Sequence, residues 1–152
     1  MNKWMKIAYK EATIGMLAND GGPFGAVLVK NNKIIAIAHN EVLKTKDVTA
    51  HAEVNAIRKA CQELDSFDLS GCVLYTSCQP CPMCLGAIFW ARIETVYYGA
   101  TEGDAARGGF DDKRFYEMIR GENNNLVMKQ INQKEGTKLF DRWLKKENRQ
   151  IY

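Results

Sequence analysis

No stretch of this chain is long and apolar enough to read as a bilayer span; runs such as Ile34 to Ala38 and Ala87 to Ala91 stop after five residues. Nor is there a signal-peptide pattern, because the opening MNKWMKIAYKEA carries charge throughout and has no apolar core. Proline is scarce, at three in 152 residues, and no Pro/Gly-rich linker, internal repeat or low-complexity stretch interrupts the sequence. It therefore reads as a single domain over residues 1–152, large enough to bury its own core. Charge of neither sign dominates: 21 Lys and Arg against 18 Asp and Glu leave a formal +3, with no block of five or six like charges. That balance neither implies nor excludes a nucleic-acid partner. What is present is an ordinary globular composition, 46% hydrophobic and 26% charged, which rules out disordered and fibrous classes. The cysteines number five, an odd count, and three of them crowd into residues 78–84. Without an export signal, this pattern points to a reducing compartment, the cytoplasm, and to metal or catalytic use rather than disulfides.

Residues from about Asn2 to Ala18 place Trp4, Ile7, Ala8, Ile14 and Leu17 at helical spacing, until Gly21-Gly22-Pro23 breaks the pattern. The β-rich runs 26–29 and 34–38 are joined through Asn31-Asn32, the signature of a hairpin. Thr49 is the expected N-cap of a helix whose Val54, Ile57, Cys61 and Leu64 form an apolar stripe. A strand is expected at about 72–76, a helix from Pro82 and a strand near 94–99. Beyond these come a helix at 112–120, a strand at 126–131 and a last helix from about 137 to 148. Strands alternating with helices imply an α/β sheet with helices on its faces, and the opening hairpin makes that sheet mixed.

The strongest chemical signal is the pair His51-Ala52-Glu53 and Pro80-Cys81-Pro82-Met83-Cys84, each set where a strand or loop enters a helix. Three N/S ligands leave a tetrahedral zinc with one open vertex, which a catalytic site keeps and a structural site closes. Pro82 suits a first helical turn, where its missing N–H is not needed. Cys84, Ala87, Ile88 and Ala91 then share the inward face of that helix. Other readings exist. A lone Cys-x-x-Cys also suits a thioredoxin-like redox pair. An iron–sulfur spacing Cys78-x-x-Cys81-x-x-Cys84 would call for its next ligand at Ile88. A closed structural zinc site would recruit Cys78. A second His-x-Glu, His39-Asn40-Glu41, follows a strand rather than opening a helix, so His39 reads as a strand-end residue and His51 as the ligand. Cys61 and Cys72 read as small buried hydrophobes.

Taken together, these residues resemble the cytidine/deoxycytidylate deaminase superfamily, whose signature is His-x-Glu with Pro-Cys-x-x-Cys. Within it the chain looks most like the small bacterial guanine deaminases. The stretches that carry this are GGPFGAV at 21–27, CPMCLGAIFWAR at 81–92 and DAARGGFDDKRFY at 104–116, the last being the discriminating one. The resemblance implies a three-layer α/β/α fold of the cytidine deaminase type with a mixed five-stranded sheet. It also implies one Zn2+ per subunit on His51, Cys81 and Cys84, with Glu53 as proton carrier and Asp112 as a second. Asn40 would hydrogen-bond a purine and Phe24 would stack on it, with Ala52 and Trp90 also at the substrate. Tyr152 would close the pocket of a neighbouring subunit, because the family exchanges its C-terminal segment, here about 125–152, within a homodimer. Each role has a plainer counterpart: Asp111 and Asp112 as a helix cap, Phe24 and Trp90 as core aromatics, Asn40 as a strand end, Tyr152 as a loose terminus. One departure stands out. Gln79 replaces the Glu that usually precedes Pro80, which bears on the support of that loop rather than on the metal.

The implied chemistry is hydrolysis of guanine to xanthine and ammonia. Zinc brings the pKa of a bound water from about 15.7 to about 7, and Glu53 carries that water's proton to the ring. An ordinary Glu is a poor acid at pH 7, so its pKa is expected to be raised by burial. Guanosine deamination and tRNA adenosine deamination are the alternatives; the second needs a basic face, for which Lys145, Lys146 and Arg149 are slender support. A small purine is thus the expected partner, with neither nucleic acid nor membrane. A non-catalytic zinc module would have no need of Glu53.

Overall fold

The computed structural model describes residues 1–122 and 126–151. Helix α1 (Lys3–Leu17) begins at Asn2, whose Oδ1 accepts from the N–H groups of Trp4 and Met5 at 2.8 and 3.2 Å. Its buried face is made of small residues, Ala8, Ala12 and Gly15, while Ile14 and Leu17 from the expected stripe are exposed. Strands β1 (Gly25–Lys30) and β2 (Lys33–His39) form the expected antiparallel hairpin. Asn31 and Asn32 both take positive φ, 51° and 59°, which matches a two-residue turn to the right-handed twist of its strands. The short helix α2 (Val42–Thr45) leads to α3 (Ala52–Glu63), then to β3 (Val73–Cys78), α4 (Pro82–Trp90) and β4 (Thr95–Ala100). Helices α5 (Glu102–Arg107), α6 (Asp112–Ile119) and α7 (Gln133–Lys145) follow.

The sheet order is β2-β1-β3-β4, with β1 antiparallel to both neighbours and β3 parallel to β4. It is a mixed sheet covered on both faces. On one side Ala8 of α1 packs with Val27, Val29 and Tyr75, flanked by Trp4, Met5 and Ile7. On the other, Ala26, Leu28, Ala36 and Leu74 meet Ala52, Ala56 and Ala60 of α3 and Ile88 of α4. Alternate residues of β1 thus serve opposite cores, as the two-residue period of a strand requires. Gly25 lets α1 lie directly on the sheet: a Cβ there would stand 2.2 Å from the Ala8 carbonyl oxygen.

Two expectations need correction. The sheet has four strands among the described residues, not five; residues 126–131 form no strand. Their Leu-Val-Met-Lys-Gln-Ile sequence suits a strand, but a strand persists only beside a partner, and these residues are exposed. Thr49 is not the N-cap of α3, because its hydroxyl is engaged with the Asp47 carboxylate at 2.7 Å. The cap position falls to His51.

Candidate active site

Two helix starts converge at one corner of the sheet. His51 and Cys81 occupy the N-cap positions of α3 and α4, both with extended backbone and neither making a side-chain capping bond. Their side chains are therefore free to face one another. Cys84 lies one turn into α4 and is fully buried. His51 Nδ1 stands 3.6 Å from Cys81 Sγ and 3.5 Å from Cys84 Sγ, and the two sulfurs are 3.6 Å apart. Zn–S near 2.3 Å and Zn–N near 2.0–2.1 Å in a tetrahedron demand about 3.8 Å between sulfurs and about 3.6 Å between sulfur and nitrogen. The donor set fits zinc in chemistry and in spacing. Cys78 does not join it; its buried thiol turns to the Thr101 carbonyl at 3.6 Å, so the group that can hold a metal comprises three residues.

The members of the trio shift one another's pKa values. Contact with the Cys84 thiol and with the His51 imidazole, against the cost of burial, pulls the Cys81 thiol down to about 4. The Cys84 thiol is pushed strongly up by Cys81, by burial and by Glu53. Protein groups alone thus favour one thiolate of the pair, and a divalent ion held there would deprotonate the other.

Glu53 sits in the first turn of α3, 4% exposed, its Oε1 accepting from the Thr76 hydroxyl at 3.1 Å and its Oε2 3.5 Å from Cys84 Sγ. Burial raises its pKa, the direction expected from the sequence. Asp112 opens α6 across the cavity, also raised, first by burial and then by the negative charge of Cys81.

These groups face a cavity of about 860 Å³. Phe24, Val42, Leu43, Val48, Phe110 and Phe115 supply apolar walls, and Asn40, His51, Glu53, Gln79 and Asp112 the polar points. Phe24 meets Phe110 edge to face at 4.7 Å. Asn40 is 4% exposed; its N–H donates to the Phe24 carbonyl at 3.0 Å and its Oδ1 accepts from Val42 N–H at 3.1 Å. Ala52, buried in the core between His51 and Glu53, does not line the cavity. Trp90 does not either: it ends α4 at 59% exposure, on the side away from Cys84, Ile88 and Ala91, with the Arg92 guanidinium 5.9 Å from its ring. Six residues beyond Cys84 is 600° of helix, which turns it outward. Tyr152 lies outside the described residues.

The residues 104–116 that looked distinctive are anchored here. Tyr116, one turn beyond Asp112, donates from its hydroxyl to the Pro80 carbonyl at 2.5 Å, tying α6 to the loop that enters Cys81. Gln79 also braces this corner, its Oε1 accepting from Glu102 N–H at 3.5 Å. Thr76 had no distinguishing sequence signal, a Thr in a strand being common; Tyr116 stood in the distinctive stretch, but only the fold brings it to Pro80.

A family model described as the cytidine and deoxycytidylate deaminase zinc-binding region matches residues 1–100. The chain belongs to this deaminase family. Over 151 residues, 98% of this chain and 97% of the relative, the deaminase is 47% identical to guanine deaminase of Bacillus subtilis. It superposes on an X-ray structure of the Bacillus subtilis guanine deaminase with a TM-score of 0.94, at 46% identity, over all of this chain and 99% of the other. A tRNA-specific adenosine deaminase of Buchnera aphidicola is 38% identical over 145 residues, 93% of this chain and 92% of that one. A His/Cys/Cys trio that could hold a metal and a three-layer fold are what membership in this family leads one to find. No helix among the described residues is long and apolar enough to cross a membrane.

Proposed function

We propose that this deaminase hydrolyses guanine to xanthine and ammonia, working as one domain over residues 1–152. The observation that carries this is the likeness to the Bacillus subtilis guanine deaminase, 47% identical and alike in backbone over nearly the whole length of both chains, together with a cavity that sets Glu53 and Asp112 on one apolar pocket. His51, Cys81 and Cys84 would hold zinc, whose Lewis acidity would make water a competent nucleophile at neutral pH. Glu53 takes the proton of the water attacking C2 and passes it to the neighbouring ring nitrogen. The bond from C2 to its exocyclic nitrogen then breaks: Asp112 protonates the amine, which leaves as ammonia, the proton still on the C2 oxygen replaces the one Asp112 gave, and that oxygen stays on C2 as the carbonyl of xanthine. Asn40 hydrogen-bonds the ring and Phe24 stacks on it, while the apolar walls keep bulk water out.

The chain works as a homodimer in the cytoplasm, its segment from about residue 125 exchanged so that the C-terminus with Tyr152 covers the partner's pocket. The support is twofold. Val127, Met128, Ile131, Leu139, Phe140 and Leu144 are all more than 60% exposed, an apolar surface that a lone soluble chain rarely presents. A cavity near the top of the usual 300–1,000 Å³ range is also roomier than a bare base requires.

Relatives that act on tRNA adenosine favour a second reading. Ammonia release from guanine, guanosine, adenine, cytidine and a tRNA anticodon stem-loop, measured side by side, separates the two. Guanine should be the fastest by at least tenfold; preference for the stem-loop would overturn the proposal.

A further inference from the structure

His39 belongs to the second His-x-Glu of the chain and has no place in the chemistry above. Its ring is gripped from both sides: Nδ1 is 2.7 Å from Glu11 Oε1 on α1, and Nε2 is 2.8 Å from Asp20 Oδ2 in the loop that follows. A neutral imidazole carries one N–H and one lone pair, so it can serve only one of these carboxylates and must turn a lone pair to the other. The imidazolium donates to both. The surroundings agree. Burial works against the charged ring, but its hydrogen bonds to Glu11 and Asp20 and the fields of Glu11 and Glu41 prevail, and its pKa is raised.

The charged groups around the ring are few. Glu11 comes from α1 and Asp20 from the loop. Glu41 and Lys44 lie just beyond β2, with Lys44 Nζ between them at 2.8 Å from Glu41 and 3.3 Å from Asp20. Helix α3 offers the neutral Asn55 amide to the His39 carbonyl at 3.1 Å and places Lys59 on the Ile37 carbonyl at 3.0 Å. Asp20, His39 and Glu41 have donor atoms close enough to hold a cation, but Lys44 already fills that role.

Asp20 is also the hinge-post of the cavity wall. Its carbonyl accepts from the N–H groups of Leu43 and Lys44, both at 3.0 Å, and the next residues, Gly21, Gly22 and Phe24, line the cavity. On the other side of the bridge, His39 is followed directly by Asn40. The parts are packed too closely to slide: a Cβ on Gly21 would lie 2.0 Å from Asn40 Oδ1, and one on Gly15 would lie 2.4 Å from the His39 ring.

We propose that His39 is a positioning residue whose imidazolium, clamped between Glu11 and Asp20, holds the Gly21–Phe24 loop against Asn40 and so shapes the wall on which the purine rests. This rests on the reading of the cavity as the purine site, and its test has arms that do not. The chain has two histidines, so imidazole ring-proton NMR follows His39 with His51 as the only other signal. In the zinc-loaded wild type, His39 should titrate with a midpoint above the ordinary value of about 6.5, and the midpoint should fall in Asp20→Asn and Glu11→Gln. Amide hydrogen exchange should quicken at least about tenfold over residues 20–25 and 39–45 in His39→Gln and in Asp20→Asn, and stay unchanged in residues 82–90. With guanine, KM should rise about tenfold in both variants while kcat stays within about twofold, and wild-type KM should climb as pH passes the His39 midpoint.

Wild type that does not turn over guanine defeats the functional reading alone, since titration and exchange still decide the clamp. A wild-type midpoint at or below about 6.5, or variants with unchanged exchange over both segments, would overturn the proposal. A kcat loss with KM intact would overturn it as well, by making His39 part of the chemistry instead.

Discussion

Replacing Gly25 with Ala tests how α1 is seated. The added methyl would lie 2.2 Å from the Ala8 carbonyl oxygen, 2.5 Å from the Ala12 nitrogen and 3.1 Å from the Ala12 Cα. Relaxed contacts of this kind need about 3.5 Å, so something must move by about 1 Å. No rotamer change can relieve it, because every atom struck is main chain of a 15-residue helix. The helix must lift as a unit, which opens the cluster of Trp4, Met5, Ile7 and Ala8 on Val27, Val29 and Tyr75. A gap of about 0.5–1 Å forfeits a quarter to a half of each dispersion contact, and overpacking a core costs about 1–3 kcal/mol. We expect about 3 kcal/mol, because the struck atoms cannot yield. For a chain of this size that is a Tm lower by about 6–12 °C. The measurement is thermal unfolding followed by circular dichroism, with Gly86→Ala beside it. Gly86 lies within α4 with nothing inside 4 Å of its Cβ position, so that change should raise stability by about 0.8–1 kcal/mol. A Gly25→Ala protein that melts within about 2 °C of wild type would show that the helix does not sit on the strand as described.

Glu53→Gln should bind zinc normally, by elemental analysis, and lose about 10²–10⁴-fold in kcat, since the amide can neither take nor give the proton; near-normal turnover would remove Glu53 from the mechanism. Exhaustive chelation should abolish activity and lower the Tm by about 8–16 °C relative to protein with zinc at a thousand times its Kd, the stabilisation there being about 4 kcal/mol. Activity that survives chelation would refute the zinc reading. Stability should also follow pH through the clamp. His39 has a raised folded pKa, so its contribution is complete below about 6.5 and fades as pH climbs through the folded value. Asp20 has a lowered one, first through its hydrogen bond to His39, so its contribution holds above 3.8 and fades as pH falls through its folded value. The Tm difference between wild type and His39→Gln should therefore be larger at pH 6 than at pH 9; the reverse order would contradict the assignment of charge.

Much of this was legible in the residues. Asn31-Asn32 announced the hairpin, because few residues accept two successive left-handed conformations. The convergence of His51, Cys81 and Cys84 was legible because a His-Ala-Glu and a Cys-Pro-Met-Cys each begin a helix, and helix starts can be located from Pro82 and from the periodicity that follows. What escaped has physical reasons too. Thr49 looks like a cap by type, yet Asp47 claims its hydroxyl and the helix starts two residues later. Residues 126–131 have the composition of a strand, but pairing is a property of two segments and no partner lies within the described chain. Helices α2 and α5, of four and six residues, are too short to leave a period. Trp90 matched a family stretch while its direction depended on a helical phase counted from Cys84. His39 was placed correctly at a strand end, but its two carboxylates come from 28 and 19 residues away and no local pattern betrays them.

Helices α3 and α4 both begin without a side-chain cap. A missing cap costs a helix about 1 kcal/mol, and here both penalties fall on the same corner of the molecule. A polypeptide starved of its ion is correspondingly more often open to proteases, which remove whatever fraction is unfolded at any moment. Zinc-loaded protein should therefore outlast metal-free protein when both are exposed to the same protease.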